Sequence, residues 1–266
     1  MLSSVYVKTM WDRRRSILWW AAGVAALVIM TVAFYPTIAA EQDTYSQLFE
    51  SMESFAGILG VDDISELTEP SGYMNSQLYA NSLAIILLVF AIGIGTSAVA
   101  GEEDRRTMDL LLAQPVKRRR VVLDAFLAMA TMTFGLAGVV MVLELVANAP
   151  FDLNLGVSGL LAANVGVALL ALAFGALALA IGGLTGRRGL TLGVSSGLAV
   201  ATFFIYGLAP LVDAIEWTQE LSPFYWFLGS QPLRDGFDPL FGWLILMIAM
   251  LLAVAVWGFE RRDVSV

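Results

Sequence analysis

Residues 157–212 read VSGLLAANVGVALLALAFGALALAIGGLTGRRGLTLGVSSGLAVATFFIYGLAPLV. Two apolar runs, Val157 to Leu184 and Leu190 to Val212, flank the charged pair Arg187-Arg188. The hydrocarbon core of a bilayer takes about 20 apolar residues of helix. Each run is long enough to cross it, and the basic turn marks where the chain doubles back. Outward from this pair, four more runs meet the same length: Ser16 to Tyr35, Leu78 to Ala100, Val121 to Val146 and Leu240 to Phe259. The sequence therefore predicts an all-α polytopic membrane protein with six transmembrane helices in one domain over residues 1–266.

Threading the chain six times through a membrane puts fourteen of its fifteen Lys and Arg residues on one side, with Arg234 alone opposite. Basic loops resist translocation and stay in the cytoplasm, so both termini are expected inside, in a plasma membrane. Hydrophobic residues make up 58% of the chain and charged ones 14%, against about a quarter charged in soluble domains. The net charge of -8 arises because most acids fall in outer loops. The bases are spread over short membrane-proximal loops and serve topology, so the partner is the lipid bilayer and not nucleic acid. With no cysteine and no histidine, thiol chemistry and the commonest metal ligand and general base are missing. Arg13-Arg14-Arg15 precede a full-length apolar run without a small-residue cleavage pattern, unlike a cleavable signal. Trp11, Trp19, Trp20 and Trp257 are expected at the inner interface, and Trp217, Trp226 and Trp243 near the outer one.

The segments between the spans carry their own patterns. Met1 to Asp12 has helical spacing at Leu2, Val5, Tyr6, Thr9 and Met10 and reads either as an interfacial helix or as a frayed terminus. In the long acidic outer loop, Leu48, Met52, Phe55 and Leu59 form the stripe of an amphipathic helix. The turn Asn148 to Gly156 has Pro150 as a breaker. The aromatic, proline-rich stretch Asp213 to Asp238 reads either as an interfacial loop or as a segment dipping into the membrane, where protein or water must satisfy its backbone. Gly93, Gly95, Gly175, Gly182, Gly183 and the pair Gly193/Gly197 point to close helix packing. Glu144, near the outer end of the third span, is expected to reach the outer headgroups, its alternative being a substrate or proton contact. Asn81, Asn164, Ser195, Ser196 and Thr202 suit interhelical hydrogen bonds.

The longest inner loop is Gly101 to Phe126, GEEDRRTMDLLLAQPVKRRRVVLDAF. Glu102, Glu103 and Asp104 suit a helix N-terminus, whose free amides favour negative charge. Met108, Leu111 and Leu112 give one apolar face, and Pro115 ends the helix. This predicts about three turns lying on the cytoplasmic surface between the second and third spans. It either buries its leucines against the bundle or docks a soluble partner. The chain lacks an energy source of its own. A phosphate-binding loop needs Gly-Lys-Ser or Gly-Lys-Thr, whereas Lys8 and Lys117 are the only lysines and neither follows a glycine.

This stretch resembles the cytoplasmic signature of type 2 ATP-binding cassette (ABC) exporter permeases: an acid (Glu103), Thr four residues on (Thr107), a Leu pair (Leu111-Leu112), Pro115 and a base (Arg118) before the next span. The end, Phe259-Glu260-Arg261-Arg262-Asp263, and the pair Ser222-Pro223-Phe224 and Pro232-Leu233-Arg234 are similar to the family as well. Arg106 stands where relatives often carry Gly, and Asp124-Ala125 where they often carry Gly-Lys. The resemblance implies a non-catalytic permease subunit of a prokaryotic exporter. It works as a homodimer or with a related permease, and no cofactor is bound by this chain; ATP and Mg belong to a partner ATPase subunit. The loop helix is then the coupling helix. Glu103, Thr107, Met108, Leu111 and Leu112 would dock the ATPase, Arg105 and Arg106 would make exposed contacts to it, and Pro115 would set the helix angle. The exported substrate would be amphipathic or lipid-like. If the fifth span lines the route, as in relatives, Thr191, Ser195 and Thr202 at i, i+4, i+11 are candidate lining residues, with Glu144 a further one. The competing readings are an ion-coupled carrier, which needs charges or broken helices at mid-depth, and a non-transporting signalling or assembly subunit.

Overall fold

The structure, a computed structural model, describes residues 4–40, 69–104 and 117–262. Among these residues every regular element is helical, and six helices are long and apolar enough to cross a membrane: Val5–Ala40, Pro70–Ala98, Arg118–Asn148, Val157–Thr185, Arg188–Leu211 and Phe241–Arg261. They correspond in order to the six runs of the sequence. The outer-loop helix expected around Leu48 to Leu59 and, beyond Asp104, the helix expected between Glu102 and Pro115 lie outside the described residues.

The fourth span is the hub. Of its apolar window 78% is buried, against 22% for the first span; the second, third, fifth and sixth spans pack on it, and the first packs on the third. The alanines and glycines of the fourth span make this possible, because small side chains let helix backbones approach where lipid provides no hydrophobic drive. At the crossing with the second span, a Cβ on Gly95 would run into the carbonyl oxygen of Gly175. At the crossing with the sixth, a Cβ on Gly183 would fall 2.8 Å from the Ala255 carbonyl oxygen. Leucine, isoleucine, valine and phenylalanine side chains such as Leu18, Ile29, Phe34, Val142, Val200 and Ile245 are exposed on the outside of the bundle. Water does not tolerate so extended an apolar exterior, whereas lipid does.

Two of the span limits differ from the sequence reading. The first helix is continuous from Val5 to Ala40, so residues 5–15 join the first span and do not form a separate interfacial helix. Nothing in this stretch breaks a helix, and arginines propagate one well. Tyr6 also fixes it to the third span, its amide 3.4 Å from Asp124 Oδ2 and its hydroxyl 3.3 Å from Thr131 Oγ1. The second span begins at Pro70 rather than Leu78, and Asn75–Leu83 is wound as a π-helix. The polar residues that hid this turn are satisfied inside the bundle. Ser76 Oγ donates to the Tyr73 carbonyl (3.2 Å), Asn81 donates to the Ser76 carbonyl (2.8 Å), and Tyr73 Oη donates to Thr31 O of the first span (3.0 Å).

The third span ends at Asn148, whose side chain grips the following turn. Its Nδ2 donates to the Leu155 carbonyl and its Oδ1 accepts from the Leu155 amide, both at 2.9 Å. The segment between the fifth and sixth spans enters the bundle. Pro223–Leu228 and Pro232–Asp235 are short helices, and Pro223, Phe224, Phe227 and Leu233 are buried. Along the fourth span, Leu233 sits at Gly159, Phe227 at Gly166 and Phe224 at Phe174 (ring centroids 6.2 Å). Fifteen residues of helix cover about 22 Å, so the stretch dips deep beside its neighbours. Within the stretch 213–238, residues 223–235 thus follow the dipping reading, while 213–221 stay at the surface of the bundle. The backbone here is capped by protein: Ser222 Oγ accepts from the Phe224 amide (3.2 Å) and donates to Thr202 O (2.8 Å), and Gln219 Nε2 donates to Tyr206 O (3.2 Å).

Candidate functional site

The ends of the spans that carry Lys8, Glu102 to Asp104, Arg118, Arg188 and Arg262 converge at one end of the bundle. After a break at Val99, a separate short helix, Ala100–Asp104, follows the second span. The sequence reading placed its three acids at the start of the loop helix. In the structure they lie in that short helix, with Glu102 and Glu103 in its first turn, and each meets a base from a different span. Glu102 lies 3.7 Å from Lys8 Nζ of the first. Glu103 pairs with Arg262 at the end of the sixth, and Asp104 lies 3.6 Å from Arg188 Nη1 of the fifth. The pairs differ in shielding. The Asp104 and Arg188 side chains are 58% and 51% exposed, and such pairs contribute about 0–1 kcal/mol. The Glu103 side chain is only 9% exposed.

The far side of the loop is fixed to the same place. Arg118, in the first turn of the third span, donates through Nη1 to the main-chain carbonyl of Arg262 (2.6 Å) and lies 3.5 Å from that of Phe259. The turn between the fourth and fifth spans completes the cluster. Gly186 caps the fourth span with φ +63, and a Cβ there would strike both the Arg262 guanidinium and the Glu103 carboxylate. The left-handed conformation favours glycine, and here so does the space. Beside the cluster, a cavity of about 280 Å³ is lined by Lys8, Asp12, Arg13, Ser97 and Glu102 among others, with Arg13 donating to Ser97 Oγ. Among the described residues no group of three or more Asp and Glu is arranged to hold a metal ion. Chemically the arrangement is a charged collar that ties helix ends together around the roots of one loop. Its described residues present no nucleophile–base pair.

Of the candidate docking residues, Glu103 is thus placed against Arg262. Arg105, Arg106, Thr107, Met108, Leu111, Leu112 and Pro115 lie outside the described residues. The sequence as a whole settles the family. Residues 3–264 match the profile of the ABC-2 family transporter protein. The chain belongs to the ABC-2 transporter family. It is also similar to the uncharacterized membrane protein YdbK of Bacillus subtilis (strain 168), with 28% identity over 212 residues covering 73% of this chain and 83% of that protein. The chain is accordingly a membrane transport component.

In this ABC-2 protein the intramembrane polar residues form a second cluster. Glu144 does not reach the headgroups: it is fully buried, on the face of the third span turned toward the second and fourth. Tyr79 Oη lies 2.8 and 2.7 Å from the two carboxylate oxygens of Glu144, and Asn164 Nδ2 lies 2.9 Å from Oε2 and 2.7 Å from Tyr79 Oη. Burial without partners is costly for a carboxylate, and the rotation of the helix is set by supplying them. Thr191 and Ser195 are also fully buried, on the inward face of the fifth span, while Thr202 is half-buried and bonds back to Leu198 O and Ala199 O (2.9 and 3.1 Å).

Sequence reasoning did not pair Lys8, Arg188 or Arg262 with the acids, nor Tyr79 with Glu144. For the first group the signal existed, since three acids and the bases had been threaded to one side. For the second the span limits carried no such signal: Glu144 lies four residues inside Asn148, whereas Asn164 lies eight residues inside Gly156.

Proposed function

We propose that this chain is the membrane-spanning permease subunit of an ATP-driven exporter in a prokaryotic plasma membrane, with its basic end in the cytoplasm. A separate ATPase subunit, binding ATP and Mg, docks on the loop between the second and third spans. The substrate class is amphipathic or lipid-like. The observation that carries this reading is the anchorage of that loop: its flanking residues Glu103 and Arg118 are both bonded to the end of the sixth span, so a push on the loop is delivered to the bundle. A ligand that contacts one of two bundle arrangements better than the other shifts the population between them. Thr107, Met108, Leu111 and Leu112 are the proposed docking residues, Arg105 and Arg106 their charged flank, and Pro115 the helix stop. Co-purification with the ATPase tests it. The double change Leu111→Asp, Leu112→Asp is expected to abolish capture in correctly inserted protein, and undiminished capture and coupled hydrolysis would refute docking at this loop.

A second copy of the permease completes the proposed transporter. Among the described residues, no atom stands within 4 Å of where a methyl group on Gly193 or Gly197 of the fifth span would lie, so their close-packing surface is unused within one chain. Replacing both by leucine is expected to shift the detergent-solubilised protein from dimer to monomer, as read by cross-linking and light scattering, without loss of helix content. A persistent dimer would place the second copy on another face.

A further inference from the structure

We infer that Arg262 is a positioning residue, a latch that fastens the sixth span to both roots of the 105–116 loop and carries loop movement to the opposite end of the bundle. The inference rests on the proposed docking of an ATPase at this loop. Arg262 grips both sides. Its guanidinium holds Glu103, two residues before the loop, and its main-chain carbonyl accepts from Arg118, two residues after it. Gly186 leaves the space in which the guanidinium lies. The two neighbouring ion pairs, Lys8–Glu102 and Asp104–Arg188, are more exposed, so solvent screens them more. Glu103 therefore acts through Arg262 and not on the surface of a docked partner.

From Arg262 the route outward is a single rigid element. The helix Phe241–Arg261 runs unbroken and packs closely on the fourth span at Gly183 and again where Gly258 meets Leu184. At its other end Phe241 and Trp243 contact Phe227 and Trp226 of the dipping segment, with ring centroids 6.5 and 6.2 Å apart. Coupling between distant sites is carried by such contiguous packed elements when both sites bias the same two-state arrangement. The latch thus links the loop to the dipping segment, whose Phe227 also packs on Tyr79 of the Glu144 cluster (ring centroids 6.5 Å).

The chain has no cysteine, so spin labels can be placed at will. Labels at Phe34→Cys and Ile245→Cys, both exposed on the first and sixth spans, report their separation in lipid vesicles with the ATPase partner. ATP is expected to shift that distance in the otherwise unaltered chain. In Arg262→Ala the ATPase still co-purifies and hydrolyses ATP while the shift is lost, and the charge swap Glu103→Arg with Arg262→Glu restores it. An undiminished shift in Arg262→Ala overturns the latch. So does loss of ATPase capture in that variant, which would make Arg262 a docking contact, or failure of the swap to restore the shift. If no ATPase is captured by the unaltered chain, the docking reading itself fails. The latch is then decided on the chain alone by hydrogen exchange. Amides of residues 101–104 are expected to exchange faster in Arg262→Ala and to recover in the swap, while those of 117–120, held through the retained main-chain carbonyl, stay as they are; unchanged exchange at 101–104 would overturn it.

Discussion

Glu144→Ala is expected to be among the most destabilising single changes in this protein. It removes the shared acceptor of Tyr79 and Asn164, both buried; Asn164 Nδ2 keeps the Leu160 carbonyl (2.9 Å), so the Tyr79 hydroxyl is the donor that loses its acceptor. A buried group left unsatisfied costs roughly 1–3 kcal/mol, and with the emptied side-chain space added the upper end, about 3 kcal/mol, is the expected loss. The measurement is thermal unfolding in detergent, with Glu144→Gln beside it. Glutamine keeps an acceptor oxygen and nearly the same volume, so its variant should retain most of the stability. If alanine and glutamine unfold together near the unaltered protein, the cluster does not hold the second, third and fourth spans together. The same pair of variants separates a structural carboxylate from a transported-ion site, since only the latter would lose function in the stable Glu144→Gln.

Gly95→Ala is the second. A Cβ at this position meets the main-chain oxygen of Gly175, and the Ala178 Cβ stands 3.0 Å away. A side chain in the way can change rotamer, but a helix backbone moves only as a whole, so the second and fourth spans must separate. Overpacking a tight core costs typically 1–3 kcal/mol, and with backbone as the obstacle the upper end, about 3 kcal/mol, is expected. Gly93, two residues earlier, has no atom within 4 Å of its methyl position, and Gly93→Ala is the matched control, expected to be neutral. A comparable fall in melting temperature for both variants would show that the loss comes from glycine chemistry in the helix and not from the crossing.

The contrast between these two glycines shows how far the sequence reading reached. Both were read as packing glycines, since composition distinguishes small from large but not which face looks inward. The stretch Asn75-Ser76-Gln77 was excluded from the second span for being polar, yet Asn75 and Ser76 are buried. Their burial depends on the π-helical winding and on Tyr73 bonding across to Thr31, neither of which leaves a local trace. The acids Glu102 to Asp104 were legible as a functional stretch, but not their partners, because Lys8, Arg188 and Arg262 are brought there by the spans themselves.

What the chain's own residues determined is the number of crossings, the gathering of the bases at one end and the signature that marks the family. Transfer of an apolar run into lipid is a sum over consecutive residues, so it can be read along a line. The tertiary structure alone decided that Glu144 turns inward to Tyr79 and Asn164, that residues 223–235 descend beside the fourth span, and that Arg262 bridges the two roots of the loop. These depend on how each helix is rotated about its axis. Inside a membrane that rotation is set by the fit and hydrogen bonds between helices, because lipid rewards every apolar face alike.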